Sequence, residues 1–97
     1  MRIYELKLTL RAEWVHSLKE KRMIVQSLKK RLINEFQVSV AEAEQQDTHQ
    51  MIVIAVVGLA GNEAIADSSI EAIIHYVEEN TDAELIEIAQ DVEQFPL

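Results

Sequence analysis

Cysteine is absent from this 97-residue chain, and proline occurs once, at Pro96. Disulfides and thiolate-held metals are thereby excluded, and the lack of cysteine agrees with a reducing compartment. The two glycines, Gly58 and Gly61, form neither a phosphate-binding loop nor a dinucleotide-binding spacing. The apolar segment 51–59 contains no aromatic residue, which excludes the base-stacking sheet of an RNA-recognition motif. Met51 to Ala60 is the most apolar stretch and has ten residues, where a membrane span needs about 20. Met1-Arg2-Ile3-Tyr4-Glu5 lacks the apolar run of a secretory signal. The expectation is a cytoplasmic protein with no membrane partner and no cofactor.

Positive charge is missing from most of the chain. All nine Lys and Arg residues lie within residues 1–31, beside three acids, for a net of +6. Residues 32–97 hold fourteen acids and no Lys or Arg, a net of −14. The folded surface is therefore expected to be charge-segregated, provided the fold does not interleave the two parts. The overall charge of −8 counts against broad nucleic-acid affinity, for which a basic domain is expected.

What is present reads as one domain over residues 1–97, with 48% hydrophobic residues to fill its core. Residues 3–11 alternate, with Tyr4, Leu6, Leu8 and Leu10 on one side, as in a half-buried strand. Ser17-Leu18-Lys19-Glu20 is a capping-box pattern that opens a helix. Leu18, Val25, Leu28, Leu32 and Phe36 give that helix one apolar stripe. Val38 to Glu44 reads as a weaker strand, followed by a polar turn with Asp47 as turn-former. Met51 to Leu59 is a β-branched central strand. Gly61-Asn62 ends it and caps a second helix over about 63–79, with Ile65, Ser69, Ile73 and Val77, flanked by Ile70 and Ile74, expected to be buried. Residues 84–92 return to strand. The order β-α-β-β-α-β predicts an α+β, ferredoxin-like sandwich: a four-stranded antiparallel sheet with both helices on one face. A flavodoxin-like parallel sheet needs more elements than 97 residues supply.

Three segments carry a resemblance: His16-Ser17-Leu18-Lys19-Glu20-Lys21-Arg22, Val25-Gln26-Ser27-Leu28-Lys29 and Phe36-Gln37-Val38-Ser39-Val40-Ala41-Glu42. Through them the chain resembles the YlxP-like family of small bacterial proteins (domain of unknown function 503) along nearly its whole length. The Ser-Leu-Lys-Glu-Lys-Arg segment is the specific part. The chain differs from the family pattern at His49, where a large aromatic is common, and in its acidic second half. The resemblance implies a ferredoxin-like fold. It also implies a gene often placed beside those for translation initiation factor two and a ribosome-binding factor, and hence a ribosomal RNA or ribosomal protein partner.

Charged residues of the first helix are the leading site candidates. At about 100° per residue, Lys19, Arg22, Lys29 and Lys30 share roughly a third of the wheel, away from the apolar stripe. Such a face suits phosphates or an acidic partner, because clustered cations release counterions on binding RNA. The plainer alternative is a solvated face offsetting the acids Glu63, Asp67, Glu71 and Glu78 of the second helix. Lys21 falls on the apolar side of its helix and must either snorkel to water or find an acid. Glu42 shares the face of Val38 and Val40, and the fold brings the end of that strand near the helix start, so a Lys21–Glu42 ion pair is expected.

No catalytic or metal-binding constellation stands out. His16, His49 and His75 lack paired ligand spacing, and Asp47 with His49 has no accompanying nucleophile. Trp14 and Val15, ahead of the first helix, either cover the core edge or form a contact surface, which Met23 and Ile33 would extend. The central strand is apolar on both faces, which suggests a homodimer covering the open sheet face, although Glu5, Lys7 and Arg11 on strand one argue against it. A non-enzymatic protein contacting RNA or an acidic partner through its first helix is the expectation. A protein-interaction module acting through self-association is the alternative.

Overall fold

The computed structural model describes residues 1–43 and 48–96. Six elements follow in order: β1 (Arg2–Arg11), α1 (Leu18–Phe36), β2 (Ser39–Glu42), β3 (Met51–Ala60), α2 (Glu63–Asn80) and β4 (Glu84–Gln94). The strands form one antiparallel sheet in the order β2-β3-β1-β4. This is the ferredoxin-like α+β arrangement that the element order predicts.

Alternation along β1 and β3 sorts the sheet into two faces. Tyr4, Leu6, Leu8 and Leu10 share the core with Ile52, Ile54 and Val56, and with Val25, Leu28 and Leu32 of α1 and Ile70, Ile73 and Val77 of α2. Both helices therefore lie on the inner face. The odd-numbered residues of β1 and β3 point to the outer face. There Val53 is buried, whereas Val57 and Leu59 are exposed.

Local chemistry fixes the helix ends. Ser17 Oγ accepts a hydrogen bond from the Glu20 amide at 3.1 Å, and Asn62 Oδ1 accepts one from the Ile65 amide at 2.9 Å. Each cap satisfies one amide that the first helical turn leaves without a partner. Gln37 closes α1 in the left-handed region (φ 53°), its amide donating to Ile33 O. That turn sends the chain directly into β2.

Three details depart from the pattern in the sequence. The second strand spans Ser39–Glu42, shorter than the expected 38–44. Glu44 and the turn-former Asp47 lie outside the described residues. Ile65 is exposed rather than buried, because α2 turns Ala66, Ile70, Ile73 and Val77 onto the sheet, and Ile65 stands about 100° away from Ala66. The last strand continues to Gln94, two residues past the expected end.

Sheet order also distributes charge. Helix α1 packs on β2, whereas α2 packs on β1, β3 and β4. Of the α1 cations, Lys19, Arg22, Lys29 and Lys30 lie on its outer side, whereas Lys21 is buried and Arg31 reaches the end of α2. Neither α2 nor β4 contains a Lys or Arg, and together they carry Glu63, Asp67, Glu71, Glu78, Glu79, Glu84, Glu87, Asp91 and Glu93. Strand β1, with Arg2, Lys7 and Arg11, nevertheless lies between β3 and the acidic β4. Arg11 pairs across to Glu84, and Arg2 comes within 3.9 Å of Glu63 on α2. The fold thus interleaves the basic and acidic parts at β1 and segregates charge only along α1.

Candidate functional site

The exposed side of α1 begins with the helix period. Residues at i, i+3, i+4 and i+7 share a face, so Lys19, Arg22, Met23, Gln26, Lys29, Lys30 and Ile33 form one stripe. Lys19, Arg22 and Lys30 are exposed and Lys29 is half-buried. Met23 is 66% exposed, and Ile33 is also open to solvent. A shallow depression of about 340 Å³ lies at the C-terminal half of the stripe, lined by Gln26, Lys29, Lys30, Ile33 and Asn34. The stripe is thus a cationic surface with two apolar side chains set into it. That mixture suits a partner bearing both negative charge and apolar or aromatic surface.

Beyond Met23 the stripe meets a second feature that the sequence did not disclose. A groove of about 310 Å³ runs between α1 and the end of α2, lined by Trp14, Met23, Ile24, Ser27, Leu28, Arg31, Asn80, Thr81 and Asp82. Trp14 is 45% exposed and also borders an adjoining depression with Arg11, Glu13, Asp82 and Glu84. The Arg31 guanidinium donates to Asn80 O at 3.4 Å, at the helix end where unpaired carbonyls attract a cation. The groove is assembled from three separate parts of the chain. Trp14, Met23 and Arg31 were visible as residues, but only the position of the α2 terminus brings Asn80 and Asp82 beside them.

The loop carrying Trp14 is held from several sides. Ala12 and Val15, its neighbours, are fully buried, and the Val15 amide donates to Ala12 O at 3.1 Å. The Ala12 amide donates to Gln50 O at 2.8 Å, and Gln50 Nε2 donates to Glu13 O at 3.2 Å. The loop therefore splits the two residues singled out there: Val15 closes the core, and Trp14 is displayed.

Lys21 stands beneath the same end of the molecule. It is 1% exposed, its Nζ is 2.9 Å from Glu42 Oε2, and it donates to Thr48 O at 2.8 Å. The structure thus brings Lys21 and Glu42 together, and the ammonium links α1 to the end of β2 and to Thr48, three residues ahead of β3. The role of this arrangement is structural, since the ammonium is withdrawn from solvent rather than aimed at a substrate.

The histidines do not converge. His75 pairs with Glu79 one turn along α2 at 3.1 Å, His16 is exposed and His49 half-buried. Asp47, the proposed neighbour of His49, lies outside the described residues. Among the described residues, three carboxylates come close enough to share an ion, Glu5, Asp91 and Glu93 on the outer sheet face. Cross-strand pairing of Glu5 with Asp91 and of Ile3 with Glu93 puts them there. The hydrogen bond to Glu93 raises the Glu5 pKa, and partial desolvation and the negative charges of Glu93 and Asp91 add to it. This is a like-charge cluster on a surface strand, and nothing about it identifies a metal. No helix among the described residues is long and apolar enough to cross a membrane.

Residues 3–90 match the family model described as "Protein of unknown function (DUF503)". The chain belongs to that family, consistent with its YlxP-like resemblance. No curated protein matches it.

Proposed function

We propose that this protein is a non-enzymatic, cytoplasmic accessory factor of translation or ribosome maturation, which docks the exposed stripe of α1 on ribosomal RNA or an acidic ribosomal protein. The observation that carries this reading is the stripe itself: Lys19, Arg22, Lys29 and Lys30 on one side of one helix, whereas α2 and β4 carry acids and no Lys or Arg. Separation of the two charges lets an acidic chain present a locally basic surface, so the net charge does not decide the matter. Attraction of this kind acts through counterion release and weakens steeply with salt. The gene neighbourhood implied by the family resemblance supplies the translational context.

Sedimentation with bacterial ribosomal particles tests the proposal. At low salt the protein should migrate with the particles. At raised salt, or in a variant with Lys19, Arg22, Lys29 and Lys30 changed to Glu, it should stay at the top of the gradient. Failure of the wild type to co-migrate at low salt contradicts the proposal, and nuclease treatment separates an RNA contact from a protein one.

A second reading, self-association as a homodimer, draws on the outer sheet face. Leu59 is 63% exposed and Val57 44%, beside Val53 and Ala55 on the same face of β3. Covering them with a second copy buries apolar surface. A dimeric mass by light scattering at micromolar concentration, lost in Leu59→Asp, supports it; a monomeric mass removes it.

A further inference from the structure

We propose that Trp14 is a stacking platform for an unpaired base, so that the nucleic acid recognised by α1 is single-stranded RNA. This inference rests on the α1 reading above and makes it more specific. Proteins that hold single strands combine a cationic track for the backbone with an aromatic side chain on which a base lies. Both parts occur here and they are contiguous. Met23 belongs to the α1 stripe, one turn from Lys19 and two from Lys30, and it also lines the groove beside Trp14. A backbone following the stripe therefore arrives at the indole.

The groove has the character of a base site rather than a phosphate site. Its volume of about 310 Å³ is at the lower end of the roughly 300–1,000 Å³ typical of small-ligand sites, which suits one flat ring system. Met23, Ile24 and Leu28 give it apolar wall, and Ser27, Asn80, Thr81 and Asp82 give it polar rim. Asp82, with Glu13 and Glu84 nearby, offsets the guanidinium groups of Arg31 in the groove and Arg11 beside it, so phosphate is drawn more to the cations of the helix stripe while the base turns in. A carboxylate at the rim accepts a hydrogen bond from an exocyclic amine of adenine, cytosine or guanine. The buried flanks of the loop, Ala12 and Val15, hold Trp14 in place before any ligand arrives. A duplex, whose base faces are stacked inside, cannot use such a platform.

Trp14 is the sole tryptophan of the chain, so its fluorescence reports directly on the site. Three probes are titrated at low salt: a short oligoadenylate, the same strand annealed to its complement, and an abasic ribose-phosphate chain of equal length. Affinity is followed separately by anisotropy of a labelled strand. The oligoadenylate should quench Trp14, and the duplex and abasic chain should bind without quenching it. Trp14→Leu should weaken oligoadenylate binding by roughly 5- to 100-fold and leave abasic-chain affinity unchanged. Oligoadenylate binding without quenching, or an unchanged affinity in Trp14→Leu, overturns this inference and leaves the α1 reading standing. Absence of binding by all three probes overturns both.

Discussion

The ammonium of Lys21 lies 2.9 Å from the carboxylate of Glu42, with Lys21 1% exposed and Glu42 19%. A buried lysine is tolerated only with compensating partners, and the Thr48 carbonyl at 2.8 Å supplies another. Removing one member of such a pair strands the other charge, which costs about 3–5 kcal/mol in buried cases. Glu42 retains some solvent access, so the lower part of that range is expected for Lys21→Met, which leaves the carboxylate. The upper part is expected for Glu42→Gln, which strands the buried ammonium.

A double-mutant cycle tests the coupling. Lys21→Met and Glu42→Gln should each destabilise the fold, and the double variant should lose clearly less than the sum of the two. Chemical denaturation of the four proteins gives the answer. Additive losses mean that the two groups act independently.

Gly58 is required for a different reason. It pairs with Tyr4 across β1 and β3, and a Cβ at residue 58 would run into the Tyr4 ring. Gly58→Ala should destabilise the protein by about 1–3 kcal/mol through overpacking. In a Tyr4→Leu background, which removes the ring, the same substitution should cost much less, as denaturant midpoints would show.

Glu5 gives a pH-dependent prediction. Its folded pKa is raised, foremost by the hydrogen bond to Glu93, so the folded state holds the proton more tightly than the unfolded chain. Ionisation therefore works against folding, and the penalty grows as pH rises through the carboxylate range. Glu5→Gln should raise the melting temperature at neutral pH, and the gain should fade as the pH is lowered toward and below the ordinary Glu pKa. A gain that persists unchanged in acid contradicts this origin.

Much of the fold was legible because local signals agreed with one another. Alternation marked Tyr4 to Leu10, and Ser17 and Asn62 marked the helix starts that their side chains indeed cap. Lys21 stood out because its residue type conflicts with its place on the wheel, and the fold then narrowed its partner to one strand end. Ile65 misled because hydrophobicity alone does not fix the rotation of a helix, and Ala66, small and easily passed over, takes the core position. The groove beside Trp14 was not legible. Residues 14, 31 and 82 meet only through the length of α2 and the path that follows it, and no periodicity within one segment encodes that meeting.

Lysine footprinting on the RNA-bound protein tests the central claim most directly. Lys19, Lys29 and Lys30 lie on the α1 stripe, whereas Lys7 lies on the outer sheet face beyond the helices and serves as an internal control. Acetylation rates are compared by mass spectrometry with and without single-stranded RNA at low salt. The account predicts protection of the three helix lysines and an unchanged rate at Lys7. Protection of Lys7 with the helix lysines still fully reactive would place the contact on the opposite face and contradict it.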